Sequence, residues 1–302
     1  MYNVGDWGKG MDGILVIDKP SKMTSRDVLD RMGGWIPRHT KVGHAGTLDP
    51  LATGALVVCI GQATRLIEYV QDMGKTYRVT IILGATRDTE KADGVLIPRE
   101  HTIPDRSAID EALPGFLGSI KQTPPAYSAA KVQGKRAYAL ARKGHDVEIA
   151  PRMVRVDRND VLRYEYPELE LEIACGKGTY VRSLGRDLGE QLGCGAHVGT
   201  LRRLGVGMFD ESMMISNDAT RTQALAAIRP MGEAVSELTA VTFDVRQWSV
   251  FQMGQGISTS GLVFTRPVND GDEVAVFVDR AFVAIGRVER GLQLVTPYKV
   301  FR

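Results

Sequence analysis

Glu168-Leu169-Glu170-Leu171-Glu172-Ile173 alternates charge and apolar side chain with a period of two. In an extended chain that period puts the three glutamates on one face and the three aliphatic residues on the other. One face of this strand is therefore buried and the other is wet. Glycines at 176 and 178 then break the pattern, and Val181, Leu184, Leu188 and Leu192 recur at helical spacing. Upstream, Tyr77, Val79, Ile81 and Leu83 repeat the strand period, with Arg78, Thr80 and Ile82 between them. Gly13 to Ile17 and Ala55 to Ile60 are continuous apolar runs, read as buried strands, with a turn predicted at Asp18-Lys19-Pro20-Ser21. Ser25 is predicted to cap a helix carrying Val28, Leu29 and Met32 and closed by Gly33-Gly34. Leu66, Ile67 and Val70 predict a second, short helix. Strands and helices mix without βαβ alternation, and several strands have one wet face. The predicted class is α+β, with a mixed, mainly antiparallel sheet flanked by helices.

The chain has 302 residues, enough for one large domain and a small one. The boundary is expected near 230–250, with a catalytic domain over 1–240 and a β-rich module over 245–302. In that module Val274 to Val278 and Ala281 to Ile285 flank Asp279-Arg280 and predict a hairpin. A net charge of +2 carries almost no information about partners. Cys59, Cys175 and Cys194 are odd in number and lack C-x-x-C spacing, which argues against a disulfide framework and for a reducing cytoplasm. The five histidines show no ligand spacing, so no metal is expected. The first twelve residues lack an apolar core and no run of about 18 apolar residues occurs, so neither a secretory signal nor a membrane span is expected.

Three constellations carry chemistry. The first is Gly43-His44-Ala45-Gly46-Thr47-Leu48-Asp49-Pro50-Leu51-Ala52-Thr53-Gly54. Three glycines, a proline and two threonines predict a structured loop ahead of the strand at Ala55, and Pro50 pushes Asp49 toward extended backbone. Asp49 there fits two readings, an Asx-type turn or a covalent nucleophile. The second is Cys175-Gly176-Lys177-Gly178-Thr179-Tyr180-Val181-Arg182-Ser183, which lacks the spacing of a phosphate loop. Arg182 falls in the first turn of a helix, where a cation opposes the macrodipole by a few tenths of a kcal/mol, ~0.3–1. Either a partner anion compensates it or the arginine is exposed and tolerated. The third is the stretch 121–155, with eight basic residues against two acidic ones, a local excess of +6. Lys131, Lys135, Arg136 and Arg142 lie in it with Tyr127 and Tyr138. It reads as a phosphate-binding surface with bases stacked on the tyrosines, or as a solvated charged face. Tyr77 and His44 fit ordinary core roles as well as functional ones.

The ordered set of motifs resembles the TruB family of tRNA pseudouridine synthases. The loop from Gly43 to Gly54 resembles closely that family's G-H-x-G-x-L-D-P-x-A-x-G signature. Gly13 to Pro20 is similar to its first strand and lysine-proline motif, and Lys75-Thr76-Tyr77 to its K-x-Y motif. Pro124 to Lys131, with Gly134 and Tyr138, resembles its RNA-gripping insertion. Gly178 to Leu184 resembles its G-T-Y-I-R-S-L motif, and Leu201-Arg202-Arg203 its L-R-R segment. The C-terminal strand pattern resembles a PUA-type RNA-binding domain.

The resemblance implies isomerisation of uridine 55 in the tRNA T loop, without cofactor or metal. Uracil is detached, rotated and rejoined through C5. It further implies that Asp49 is the essential carboxylate, Arg182 its partner, and Tyr77 a residue stacked on the target base. Tyr180 and Leu201 would line the base pocket, His44 would contact the flipped-out region, and Lys19 would support the Asp49 loop. Lys131, Lys135, Arg136 and Arg142 would contact phosphates of the T arm. The protein would act as a monomer without an obligatory protein partner, because ribonucleoprotein-bound relatives usually lack the large insertion. Competing readings are such a ribosomal-RNA synthase, a non-catalytic RNA-folding protein, and a carboxylate-dependent hydrolase, for which no acid pair or triad is present.

Overall fold

The computed structural model describes residues 11–87, 94–100, 102–125, 131–132, 135–136 and 149–301. Its strands are β1 (Gly13–Lys19), β2 (Val42–His44), β3 (Thr53–Ile60), β4 (Lys75–Leu83), β5 (Ala85–Arg87), β6 (Leu96–Pro98), β7 (Gly118–Gln122), β8 (Lys131–Val132), β9 (Lys135–Arg136), β10 (Arg152–Glu165), β11 (Glu168–Cys175), β12 (Ala196–Val206), β13 (Met214–Ser216), β14 (Thr239–Thr242), β15 (Ile257–Ser258), β16 (Glu273–Val278), β17 (Ala281–Glu289) and β18 (Leu294–Val300). Among the described residues, nine of them make one sheet, in the order β13-β1-β3-β12-β4-β11-β10-β7 with β2 added to β3. β1 runs parallel to β13 and β3 to β12, and the other pairs are antiparallel. The α+β class with a mixed, mainly antiparallel sheet is the observed one.

Burial follows the sequence pattern strand by strand. β11 alternates without a break between buried and half-buried positions, its leucines and isoleucine inward. β1 and β3 are buried almost throughout, on both faces. One face of the sheet packs Leu15, Ile17, Leu56, Val79, Ile81, Leu171 and Ile173 against the helices Ser25–Arg31, Arg106–Ala112 and Val181–Gln191. The opposite face of β1 and β3 packs Ile14, Val16, Ala55 and Val57 against Leu66, Val70, Val235 and the C-terminal residues Phe282, Ile285 and Phe301.

Several boundaries differ from expectation. The first helix is capped by Thr24, not Ser25: Thr24 and Asp27 form a reciprocal capping box, which leaves Ser25 free to turn inward. β1 continues through Asp18 and Lys19 instead of turning there, because both pair with β3. Gly43 and His44 belong to β2 and Thr53 and Gly54 to β3, so the irregular loop is shorter than predicted, 45–52. The C-terminal sheet has the order β14-β16-β17-β18-β15, and its first strand precedes position 245. Asp279 and Arg280 join β16 to β17 with φ of 46° and 69°, the left-handed geometry of a two-residue hairpin. The three cysteines are free and buried. No helix among the described residues is long and apolar enough to cross a membrane.

Candidate active site

The loop between β2 and β3 is held from three directions. Ala45 N–H donates to Val57 O at 2.8 Å, and Ala52 N–H closes a turn onto Asp49 O at 3.0 Å. Ser25 Oγ accepts from Leu48 N–H (2.9 Å) and donates to Leu48 O (3.2 Å), pinning the residue before Asp49. Lys19 is fully buried, and its ammonium donates to Met23 O (2.6 Å), Pro20 O (2.8 Å) and Pro50 O (3.4 Å). Burial lowers the Lys19 pKa to about 8, although the nearby Asp49 and Asp27 carboxylates oppose that shift. Arg203 is 1% exposed and lies beneath the loop, with Nε donating to Ala55 O at 2.7 Å and Nη2 to Gly46 O at 3.1 Å.

This scaffold turns the Asp49 carboxylate across to the helix Val181–Gln191. Arg182 Nε lies 2.8 Å from Asp49 Oδ2. The arginine side chain is 5% exposed and the carboxylate 35%. The cation in the helix's first turn thus has its partner anion, and an exposed arginine is not what the structure contains. The carboxylate keeps an open side, toward which a substrate atom can approach.

The remaining predicted residues surround this pair unequally. Tyr77 is buried on β4 opposite Arg203, and burial raises the pKa of its hydroxyl. Arg203 opposes that shift and Asp49 adds to it, so the tyrosine lies within electrostatic reach of both. Tyr180 is the N-cap residue of the Arg182 helix, and the Arg152 guanidinium stands 4.9 Å from its ring centre. Leu201 is buried on β12 opposite Val79. His44 ends β2 at the start of the loop, and burial followed by the Arg203 and Arg26 charges lowers its pKa. Its Nδ1 is buried without a hydrogen-bond partner among the described residues. The side chains of Lys131, Lys135 and Arg136, and the whole of Arg142, Tyr127 and Tyr138, lie outside the described residues. The backbones of Lys131–Val132 and Lys135–Arg136 pair as β8 and β9. Among the described residues no group of three or more His, Cys, Asp or Glu is placed to hold a metal ion.

Ser25 and Arg203 support the loop without having been singled out for it from sequence. Arg203 carried a readable signal: it occupies a buried position of β12 in line with Leu201, where a charge must find polar partners. Chemically, the arrangement offers one oriented carboxylate with a fixed counter-charge and a buried tyrosine within its electrostatic reach, and among the described residues no second acid or histidine is paired with it. That set suits nucleophilic attack by a carboxylate better than hydrolysis by an acid–base pair.

Comparison with known proteins gives concordant results. Residues 35–181 match the model of the TruB family pseudouridylate synthase N-terminal domain, and residues 182–236 that of the tRNA pseudouridylate synthase B C-terminal domain. The chain is 38% identical over 300 residues to tRNA pseudouridine synthase B of Ruegeria sp., covering 97% of each chain. It is 45% identical over 242 residues to the protein of that name from Syntrophobacter fumaroxidans, covering 78% of this chain and 79% of the relative. Among solved structures it resembles a chain of a Cbf5-Nop10-Gar1 complex, with a TM-score of 0.75 and 26% identity over 96% of this chain and 85% of the other.

Proposed function

This chain belongs to the TruB family of pseudouridylate synthases, and from that premise we propose that it converts uridine 55 in the T loop of tRNA to pseudouridine, with Asp49 as the nucleophile. The observation that carries the reading is the ion pair between Asp49 and Arg182, formed by two of the motifs that define the resemblance. The reaction is an isomerisation: the C1′–N1 bond breaks, the uracil turns, C5 bonds to C1′ and the C5 proton is lost while N1 gains one. Nothing is oxidised and no water is consumed. Asp49 would stabilise the detached state by forming a bond to the substrate, with Arg182 fixing its orientation. Tyr77 would stack on the target base, Tyr180 and Leu201 would line its pocket, and His44 would contact the flipped-out region. Lys19 would keep the loop in place. Extrusion of the target base costs a few kcal/mol, ~2–4, and less in a loop than in a duplex.

Lys131, Lys135, Arg136 and Arg142 would bind phosphates of the T arm, and the C-terminal sheet would serve as a PUA-like RNA-binding module of a monomeric, cytoplasmic enzyme. The test is incubation of the pure protein with an unmodified T-arm hairpin, followed by mapping of pseudouridine. Product at the T-loop uridine is expected without any added protein. Asp49→Asn should lower single-turnover rate by on the order of 10⁴-fold or more while leaving RNA affinity within a few fold, ~3. Comparable turnover in that variant would refute the nucleophile assignment, and a requirement for added proteins would favour a ribonucleoprotein enzyme.

A further inference from the structure

We infer that Gln122, at the end of β7, is a positioning residue for this reaction, acting on Arg182 through the backbone of Tyr180. The inference rests on the proposed role of the Asp49–Arg182 pair. The helix that carries Arg182 is poorly defined by its own sequence at its start. Its N-cap residue, Tyr180, supplies no side-chain cap, and no acidic residue stands in the first turn. Arg182 itself opposes the helix dipole there. A helix start of this kind frays or shifts unless something outside it fixes the first residues.

Gln122 supplies that fixation from a different strand. It is 1% exposed and both ends of its amide are committed to one residue. Its Nε2–H donates to Tyr180 O at 3.0 Å, and its Oε1 accepts from Tyr180 N–H at 2.8 Å. The side chain thus pairs with Tyr180 as a neighbouring strand would, holding it extended at φ −106°, ψ 110°. The next residue on β7's continuation acts in the same sense: Thr123 O accepts from Ser183 Oγ at 2.9 Å, and Ser183 is fully buried. Arg182 lies between these two anchored positions, and its Nε is the atom in contact with Asp49. If packing alone were needed, an apolar side chain would fill the place without the cost of desolvating an amide. The two-point bond specifies where the helix begins and hence where the guanidinium sits.

The test compares wild type, Gln122→Leu and Gln122→Glu on the T-arm hairpin, measuring single-turnover rate, RNA affinity and urea midpoint. A displacement of Arg182 by about 1 Å predicts a rate loss of ~30- to 100-fold in Gln122→Leu, with RNA affinity within about threefold of wild type. Gln122→Glu provides a readout that survives if the leucine variant fails to fold. Its carboxylate accepts from Tyr180 N–H but cannot donate to Tyr180 O, whereas the protonated acid can do both. Burial raises the pKa of such an acid, so the ratio of variant to wild-type rate should climb by about fivefold or more between pH 7.5 and 5.5. A ratio flat with pH, or a Gln122→Leu rate within about twofold of wild type, overturns the inference. Wild type that makes no pseudouridine in the same assay overturns the underlying reading instead.

Discussion

The two halves of the central sheet are built on different principles, and the candidate site takes one member of its ion pair from each. β1 and β3 are covered on both faces, and the Asp49 loop is strung from them. β4, β11 and β10 bury one face and show the other to water, and the helix with Arg182 follows directly from that half. In the first half, the strands meet backbone to backbone, and the buried side chains of Ser25, Lys19 and Arg203 bond the loop's own backbone groups. In the second, position is set by side chains reaching across. Gly54 offers the hardest blow to the first. It has φ +94° on β3, and a Cβ there would stand 2.2 Å from Arg203 O. Gly54→Ala should therefore destabilise the fold by roughly 3–5 kcal/mol, combining left-handed strain with a collision that neither strand can relax. Thermal unfolding should show a midpoint lowered by ~10 °C. A variant as stable as wild type would mean that β3 and β12 can part without penalty, and the contrast between the halves would be lost.

Lys19 sharpens the same contrast through pH. Its folded pKa is about 8 and the ordinary value is 10.5. Between those values the unfolded chain holds the proton and the folded chain does not. Stability from this group therefore rises with pH across that window, because the cost of burying the charge disappears. Catalysis should move the other way, since a neutral amine has one donor fewer for the three carbonyls that fix the loop. The wild-type single-turnover rate should fall by about threefold to tenfold as pH passes through 8. Lys19→Met should start lower and lack this limb, and its urea midpoint should rise less than wild type's, by the share left to Lys75, whose burial also lowers its pKa to about 8. Wild type and variant running parallel in both measurements from pH 7 to 10 would show that the Lys19 charge is irrelevant to the loop.

Much of this division is legible in the sequence. The uninterrupted run Ile14 to Ile17 announces a strand with no wet face, and the glutamate–leucine alternation at 168–173 announces one wet face. The crowding of glycine, proline and threonine around Asp49 marks a shaped loop. What stayed hidden is which distant groups meet there. Ser25 looks like a helix cap because capping is local, yet its partner is Leu48, 23 residues away. Gln122 follows Lys121 in an ordinary polar stretch, and its partner is 58 residues away. Arg203 bonds carbonyls 148 and 157 residues away. Periodicity reports the face on which a residue lies, and only the folded chain brings the carbonyl it needs to that face.

The smallest expected effect tests the other half. On its wet face Arg158 contacts Glu172 at 2.5 Å and Asp160 at 3.3 Å, and Arg78 reaches Glu172 at 3.5 Å. These bonds look like a second scaffold for the Arg182 side. The two arginines are about half exposed, however, Arg158 at 49%, and the less exposed Glu172 keeps Arg78 when Arg158 is removed. Exposed pairs of this kind contribute about 0.2–1 kcal/mol, and a shared partner reduces the loss further. Arg158→Ala should thus change unfolding free energy by no more than ~0.5 kcal/mol, with the difference shrinking in high salt, and should leave turnover unaltered. A loss above about 1.5 kcal/mol, or a slower reaction, would make the ladder a true support of the helix start. Position on that side would then be shared between the wet face and the buried amide of Gln122, rather than resting on the amide.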